Sequence, residues 1–329
     1  MLEHGGNLHD AVRLFGRPRE DWLDLSTGIN PLPYPAPALE AGIWHRLPEP
    51  DAALAAAAQA FYRAPHMLPV AGSQAAIQAL PTLRPPSRVV VAAPAYAEHA
   101  RHWSLHGHAM REVPYRDLHD AVAHCDVMVV CNPNNPTGER IPAATLLAWA
   151  GQLAQRGGWL VVDEAFADID GQASVAPQSQ RPGLIVLRSV GKFFGLAGLR
   201  LGFVAAGPAL LERLADALGP WTISSAAQRI GRAALQDAAW QQATRQRLQA
   251  EAQRLQAVLR EAGIASTGAA LYQWWPEARA EFFWRTMAGH GIWVRLFNRG
   301  AGGIRCGLPP DDAGWQRLET ALRAWKETS

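Results

Sequence analysis

Five short, nearly unbroken apolar runs limit what this chain can become: Arg88–Ala92, Asp126–Cys131, Trp159–Val162, Leu184–Leu187 and Gly202–Ala206. Runs of this length read as strands buried on both faces. Helical segments lie between them at Tyr96–Leu105 and Ala143–Arg156, with a further strand candidate at His108–Val113. Strands alternating with helices predict an α/β fold, a mostly parallel central sheet covered by helices. Ligands of such sheets gather beyond the carboxyl ends of the strands. The polar motifs fall there, at Pro94–His99, Asn132–Gly138, Asp163–Glu164 and Ser189–Lys192.

The flanking regions have a different character. Residues 1 to about 37 are rich in Gly, Pro and Asn and read as an arm, with one strand-like piece near Trp22–Leu25. Asp51–Tyr62 is an alanine-rich helix with Asp51 as its N-cap. Two helices follow from Ser224 to Ala262, then short strand-like pieces near Leu271–Trp275, Ile292–Leu296 and Gly303–Gly307, with helices at Ala278–His290 and Asp311–Trp325. The expected organisation is an arm at 1–40 joining the small domain, a large domain at 41–215, and a smaller C-terminal α+β domain at 216–329. A net charge of +2 gives no reason to expect nucleic acid or a membrane surface as partner. Three cysteines, Cys125, Cys131 and Cys306, show no CxxC pairing, which predicts reduced cytoplasmic thiols and no metal centre. The start M-L-E-H-G-G-N lacks the basic and apolar regions of a signal peptide, and no apolar run reaches membrane-spanning length.

Lys192 stands after a buried run in R-S-V-G-K-F-F-G-L-A-G-L-R. A lysine at the mouth of such a strand can lose its proton and act as a nucleophile. Ser189 and Arg200 flank it with groups suited to a phosphate, so the stretch suggests an imine with a phosphorylated aldehyde. Ala71-Gly72-Ser73 leads straight into helical periodicity, where free N–H groups, Ser73 and Gln74 make an anion site. N-P-N-N-P-T-G presents Asn135 in a pose suited to a phenolate oxygen. Asp163 ends W-L-V-V-D, and a buried carboxylate there needs a cationic partner such as a pyridinium N–H. Taken singly, each has a plainer account: a basic helix start, an ordinary helix start, a turn, a cap or a structural ion pair. H-G-G-N at His4–Asn7 and S-T-G-I-N-P at Ser26–Pro31, taken alone, are turns.

In their order, these motifs resemble the fold-type I pyridoxal-phosphate enzymes of the class I/II aminotransferase superfamily, over nearly the whole chain. The resemblance implies pyridoxal 5'-phosphate joined to Lys192, with Asp163 on the ring nitrogen and Asn135 on the ring hydroxyl. It implies Ser73, Gln74, Ser189 and Arg200 on the cofactor phosphate, and His99 stacked on the ring with Tyr96 as its substitute. Arg305, in G-I-R-C-G, is expected to take the substrate α-carboxylate. A homodimer and a small phosphorylated amino-acid substrate are implied as well.

More narrowly, H-G-G-N, S-T-G-I-N-P-L, P-A-Y-A-E-H and the short length resemble the branch that decarboxylates L-threonine O-3-phosphate to (R)-1-amino-2-propanol O-2-phosphate in cobalamin biosynthesis. That branch implies His4, Gly5, Gly6, Asn7, Asn30 and Arg295 as further substrate-binding residues. The alternative, histidinol-phosphate or a related amino-acid aminotransferase, shares every cofactor residue. A cofactor-binding transcription regulator would carry a DNA-binding domain ahead of this fold, and an arm of about forty residues is too short for one. Two positions depart from the family pattern. Phe166 stands where many relatives have a tyrosine on the ring hydroxyl, and Leu47 where many have one reaching the neighbouring subunit's cofactor phosphate.

Overall fold

The computed structural model describes residues 4–169, 174–298 and 302–327. Among them are eight strands in the first two-thirds of the chain: β1 (Leu23–Asp24), β2 (Met67–Val70), β3 (Arg88–Ala93), β4 (Ala109–Pro114), β5 (Val127–Cys131), β6 (Trp159–Asp163), β7 (Leu184–Ser189) and β8 (Gly202–Ala205). Five more follow: β9 (Thr267–Ala269), β10 (Tyr272–Pro276), β11 (Ile292–Trp293), β12 (Arg295–Phe297) and β13 (Gly303–Gly307). The chain divides into two compact units. One comprises residues 33–134 and 139–242, the other the residues up to Leu32, Asn135–Gly138, and those from Ala243 onward. The division thus falls inside the helix Ala238–Glu261, whereas the change in strand character suggested residue 216.

The larger unit holds a seven-stranded sheet in the order β2-β8-β7-β6-β5-β3-β4. Pairing is parallel from β4 across to β7; β8 runs antiparallel to β7, and β2 antiparallel to β8. Alternate strand residues Val89, Val91, Val127, Val129, Val161, Ile185 and Leu187 form one core with Ile77, Leu80, Trp103 and Leu214 from helices. The residues between them, including Val90, Met128, Val130, Leu160, Val162 and Val186, are also buried. Both faces are therefore covered, which is why these strands are continuously apolar instead of alternating. Strand β2 carries Pro69 and pairs only with β8, the edge position that a proline in a sheet requires.

The smaller unit contains an antiparallel sheet, β12-β13-β10-β9, and a parallel pair, β1-β11. The predicted irregular lead-in contains a helix, Leu8–Phe15, capped by Asn7. Its apolar side, Ala11 with Phe15, packs among Trp22, Trp284 and Trp293. Asn135–Gly138 belongs to this unit because the Thr137 carbonyl accepts the Thr267 hydroxyl at 2.9 Å, and Gly138 lies flat on the backbone of Gly268. All three cysteines are buried, and none is in a disulfide. No helix among the described residues is long and apolar enough to cross a membrane.

Candidate active site

Strand ends of the larger unit carry the first group of residues. Asp163 closes β6 with 6% exposure; its Oδ1 accepts the Ala165 N–H at 3.0 Å and its Oδ2 lies 2.9 Å from His99 Nε2. Ser189 closes β7, where its Oγ accepts the Gly191 N–H at 3.2 Å. Lys192 follows, half-buried, its Nζ 5.4 Å from the centre of the Phe166 ring. The next two residues, Phe193 and Phe194, are buried against Trp240 and anchor the lysine's turn.

Three segments converge beside Ser189. Gly202 is its partner in the β7–β8 register, and a Cβ on Gly202 would lie 2.6 Å from the Ser73 nitrogen. Gly72 has φ +71°, and a Cβ there would lie 2.7 Å from Arg200 Nη2. A guanidinium thus rests against bare backbone at a helix start. Arg200 itself adopts a left-handed conformation, φ 55° and ψ 49°, which a non-glycine residue holds only when its surroundings impose it. Ser73, Ser189 and Arg200 are thereby brought together as a cradle of donors and positive charge suited to a phosphate.

In the smaller unit, Arg305 is the centre. It is buried, donates through Nη1 to Asn135 Oδ1 and through Nη2 to the Ser26 carbonyl at 2.6 Å, and leaves its Nε without a hydrogen-bond partner. Burial pushes its pKa down to about 10, with Arg295 adding to the effect and Tyr272 opposing it. Arg295 is its partner in the β12–β13 register. Ser26 also receives the H-G-G-N segment: the Gly6 N–H donates to Ser26 Oγ at 2.7 Å, and a Cβ on Gly5 would lie 2.3 Å from the Ser26 carbonyl oxygen. The two ends of the chain singled out from sequence therefore meet at Ser26.

The family model for aminotransferases of class I and II matches residues 20–305. A threonine-phosphate decarboxylase of Pseudomonas aeruginosa is 49% identical over 99% of this chain and 99% of its own length. The chain belongs to the aminotransferase class I and II family. A second threonine-phosphate decarboxylase, from Sinorhizobium sp, is 42% identical over 98% of this chain and 97% of its own. The crystal structure of a histidinol-phosphate aminotransferase from Clostridium acetobutylicum superposes with a TM-score of 0.82 at 18% identity, over 93% of this chain and all of that one. That likeness is one of fold.

Several expected contacts of this aminotransferase-family chain differ in the structure. His99 presents its ring edge to Asp163, a contact beyond the stacking role expected of it. Gln74 spends its side chain elsewhere: Oε1 accepts the Tyr96 hydroxyl at 3.1 Å and Nε2 donates to Glu98 at 3.3 Å. What Gln74 offers an anion is its backbone N–H. Asn7 is engaged as a helix cap, its Oδ1 accepting the Asp10 N–H at 3.4 Å. Asn30 Oδ1 accepts the Leu32 N–H at 3.0 Å and Arg247 Nη2 at 2.7 Å. Short amides at turns bond the nearby backbone first.

One charged cluster was not anticipated. Arg188, just before Ser189, is fully buried and paired with both Glu164 and Asp168, with the Tyr62 ring 4.4 Å from its guanidinium carbon. Burial works against its charge, but Asp168 and Glu164 outweigh it and hold the pKa above the ordinary arginine value. The signal was present: an arginine inside L-I-V-L-R-S requires buried carboxylates.

Proposed function

We propose that this chain removes CO2 from L-threonine O-3-phosphate with pyridoxal 5'-phosphate as cofactor, giving (R)-1-amino-2-propanol O-2-phosphate for cobalamin biosynthesis. The observation that carries the choice of reaction is the 49% identity to a threonine-phosphate decarboxylase over 99% of both chains. The residues present suit the cofactor: a phosphate cradle that a Cβ on Gly72 would fill, and a buried carboxylate at a strand end beside the lysine loop.

When bound, the cofactor supplies the electron sink that makes the bonds at the substrate's Cα labile. Lys192 would hold the cofactor's aldehyde carbon, and its amino group would be the source of the proton for the substrate Cα. Asp163, aligned by the Ala165 N–H and His99, would accept a hydrogen bond from the protonated ring nitrogen. Ser73, Ser189, Arg200 and the Gln74 N–H hold the phosphate. Tyr96, whose hydroxyl pKa burial and then Glu98 push up to about 12, stays neutral and covers the ring. Asn135 has its oxygen fixed on Arg305, which leaves its NH2 group for the ring oxygen. Arg305 takes the substrate carboxylate through its remaining donors, and Arg295 with the His4–Asn7 segment takes the substrate phosphate.

The protein acts in the cytoplasm as a homodimer. Support for the dimer comes from Trp44, Leu47 and Trp221, large apolar side chains 67%, 64% and 60% exposed in the larger unit. Sedimentation is expected to give twice the 35.7 kDa chain mass. The deciding experiment is release of CO2 from threonine phosphate without a keto acid. Transfer from histidinol phosphate that depends on a keto acid, with no CO2 release, would overturn the reading. Lys192→Ala is expected to abolish the visible absorbance band of the lysine-bound cofactor.

A further inference from the structure

We propose that the cofactor-free chain holds a zinc ion through His99, Cys131 and Asp163, and that zinc and pyridoxal phosphate exclude one another there. The exclusion rests on Asp163 being the ring-nitrogen partner; the retention of metal does not. Cys131 and Asp163 are register partners on the parallel strands β5 and β6, so their side chains leave the same face of the sheet at the same level. His99 comes from the first turn of the helix Glu98–Leu105. An imidazole nitrogen, a thiol sulfur and a carboxylate oxygen lie within 4.8 Å of one another, the one such group among the described residues. The three residues are 2%, 4% and 6% exposed.

This donor set suits zinc and not magnesium or calcium, because a thiolate is a soft ligand, an imidazole suits zinc, and magnesium and calcium take oxygen ligands. Zinc sits about 2.0–2.3 Å from such atoms, so the widest pair must close by about 1 Å, with water as the fourth ligand. Backbone contacts hold the ligands in place. The Ala165 N–H fixes Asp163 Oδ1, and the Tyr115 hydroxyl donates to the Cys131 carbonyl at 2.7 Å and accepts its N–H at 3.3 Å. The protons balance simply. Cys131 gives its proton to solvent, while the imidazole stays neutral with its proton on Nδ1 and its Nε2 lone pair on the metal. A thiolate and a carboxylate then neutralise the ion, as a buried site demands. Sequence reading predicted no metal centre because the ligands come from three separate elements and form no CxxC motif.

The test uses the full-length chain stripped of cofactor, incubated with zinc sulfate and gel-filtered. About one zinc per chain is expected, with no retention of magnesium. Cys131→Ser is expected to lose the zinc and still load pyridoxal phosphate. Zinc retained equally by wild type and Cys131→Ser, or by neither, would overturn the proposal. Cobalt in place of zinc gives a measurement that needs no variant. A thiolate-to-cobalt charge-transfer band is expected in the wild-type chain, and its absence overturns the site. Adding pyridoxal phosphate to the zinc-loaded chain is expected to release the metal as the cofactor band grows. A cofactor band that forms with zinc still bound would overturn the exclusion. A chain that holds zinc and never develops the band would instead count against the cofactor reading itself.

Discussion

Arg295 stands directly opposite Arg305 in the antiparallel register of β12 and β13. Like charges placed so cost stability, while an anion between them repays it. Arg295→Gln is therefore expected to raise the melting temperature of the substrate-free protein and to lower kcat/KM for threonine phosphate. A lost charge-assisted hydrogen bond of about 1.5–3 kcal/mol corresponds to a fall of about 10–100-fold. Thermal melts and steady-state kinetics check both signs; a variant both less stable and fully active would remove the anion site.

The His99–Asp163 contact is expected to govern how tightly the cofactor is held. In His99→Phe the ring face is kept and the hydrogen bond to the carboxylate is lost. Cofactor affinity, titrated by the visible absorbance band, is expected to fall about 10–100-fold, the worth of a hydrogen bond to a charged group. If the face of the ring mattered and its edge did not, the variant would bind as wild type does.

Gly72 has no room for a side chain. Gly72→Ala places a methyl against the Arg200 guanidinium at a backbone angle that L residues avoid. The left-handed conformation alone costs about 1–3 kcal/mol. Denaturant unfolding is expected to show that loss, together with weaker retention of the cofactor. Gly42, with open space around its Cα, is the control, and Gly42→Ala is expected to change neither property.

Asp126 supplies a pH dependence. The Arg88 side chain donates to it through Nε and Nη2, at 3.1 Å and 2.8 Å, and holds its pKa down to about 2. A carboxylate depressed on folding stabilises the protein fully above its ordinary pKa near 4, and that contribution is lost as pH falls through about 2. The pair is largely solvent-exposed, so the effect is small. Wild type and Asp126→Asn are expected to differ most above pH 4 and to converge towards pH 2 in stability measured by denaturant.

Much of the larger unit could be read from local sequence, because β3, β5, β6 and β7 are short apolar runs whose surroundings settle their structure. Strand β2 escaped notice because Pro69 argues against a strand until its edge position is known. The helix Leu8–Phe15 lay between glycine-rich stretches, and its apolar face is recognisable only beside Trp284 and Trp293. Lys192, Asp163, Ser189 and Arg200 were legible as an ordered set. The edge contact of His99 was not, since the same spacing in P-A-Y-A-E-H serves a ring that stacks and a ring that donates. Asn7 and Asn30 bond their own turns, a competition that motif matching does not weigh.

Strand β1 pairs with β11, and Trp22 meets Trp293, so the beginning of the chain needs partners made near its end. At about 5–20 residues per second, the ribosome takes roughly 15–50 s to deliver them. Through that interval the tryptophan-rich face of the N-terminal segment is uncovered, while the strands of the seven-stranded sheet are made one after another, the last of them ending at Ala205. The smaller unit is therefore the last to close during synthesis, and a ribosome stalled well after Ala205 but before Trp293 holds a chain with all seven strands of the sheet made and an exposed aromatic patch.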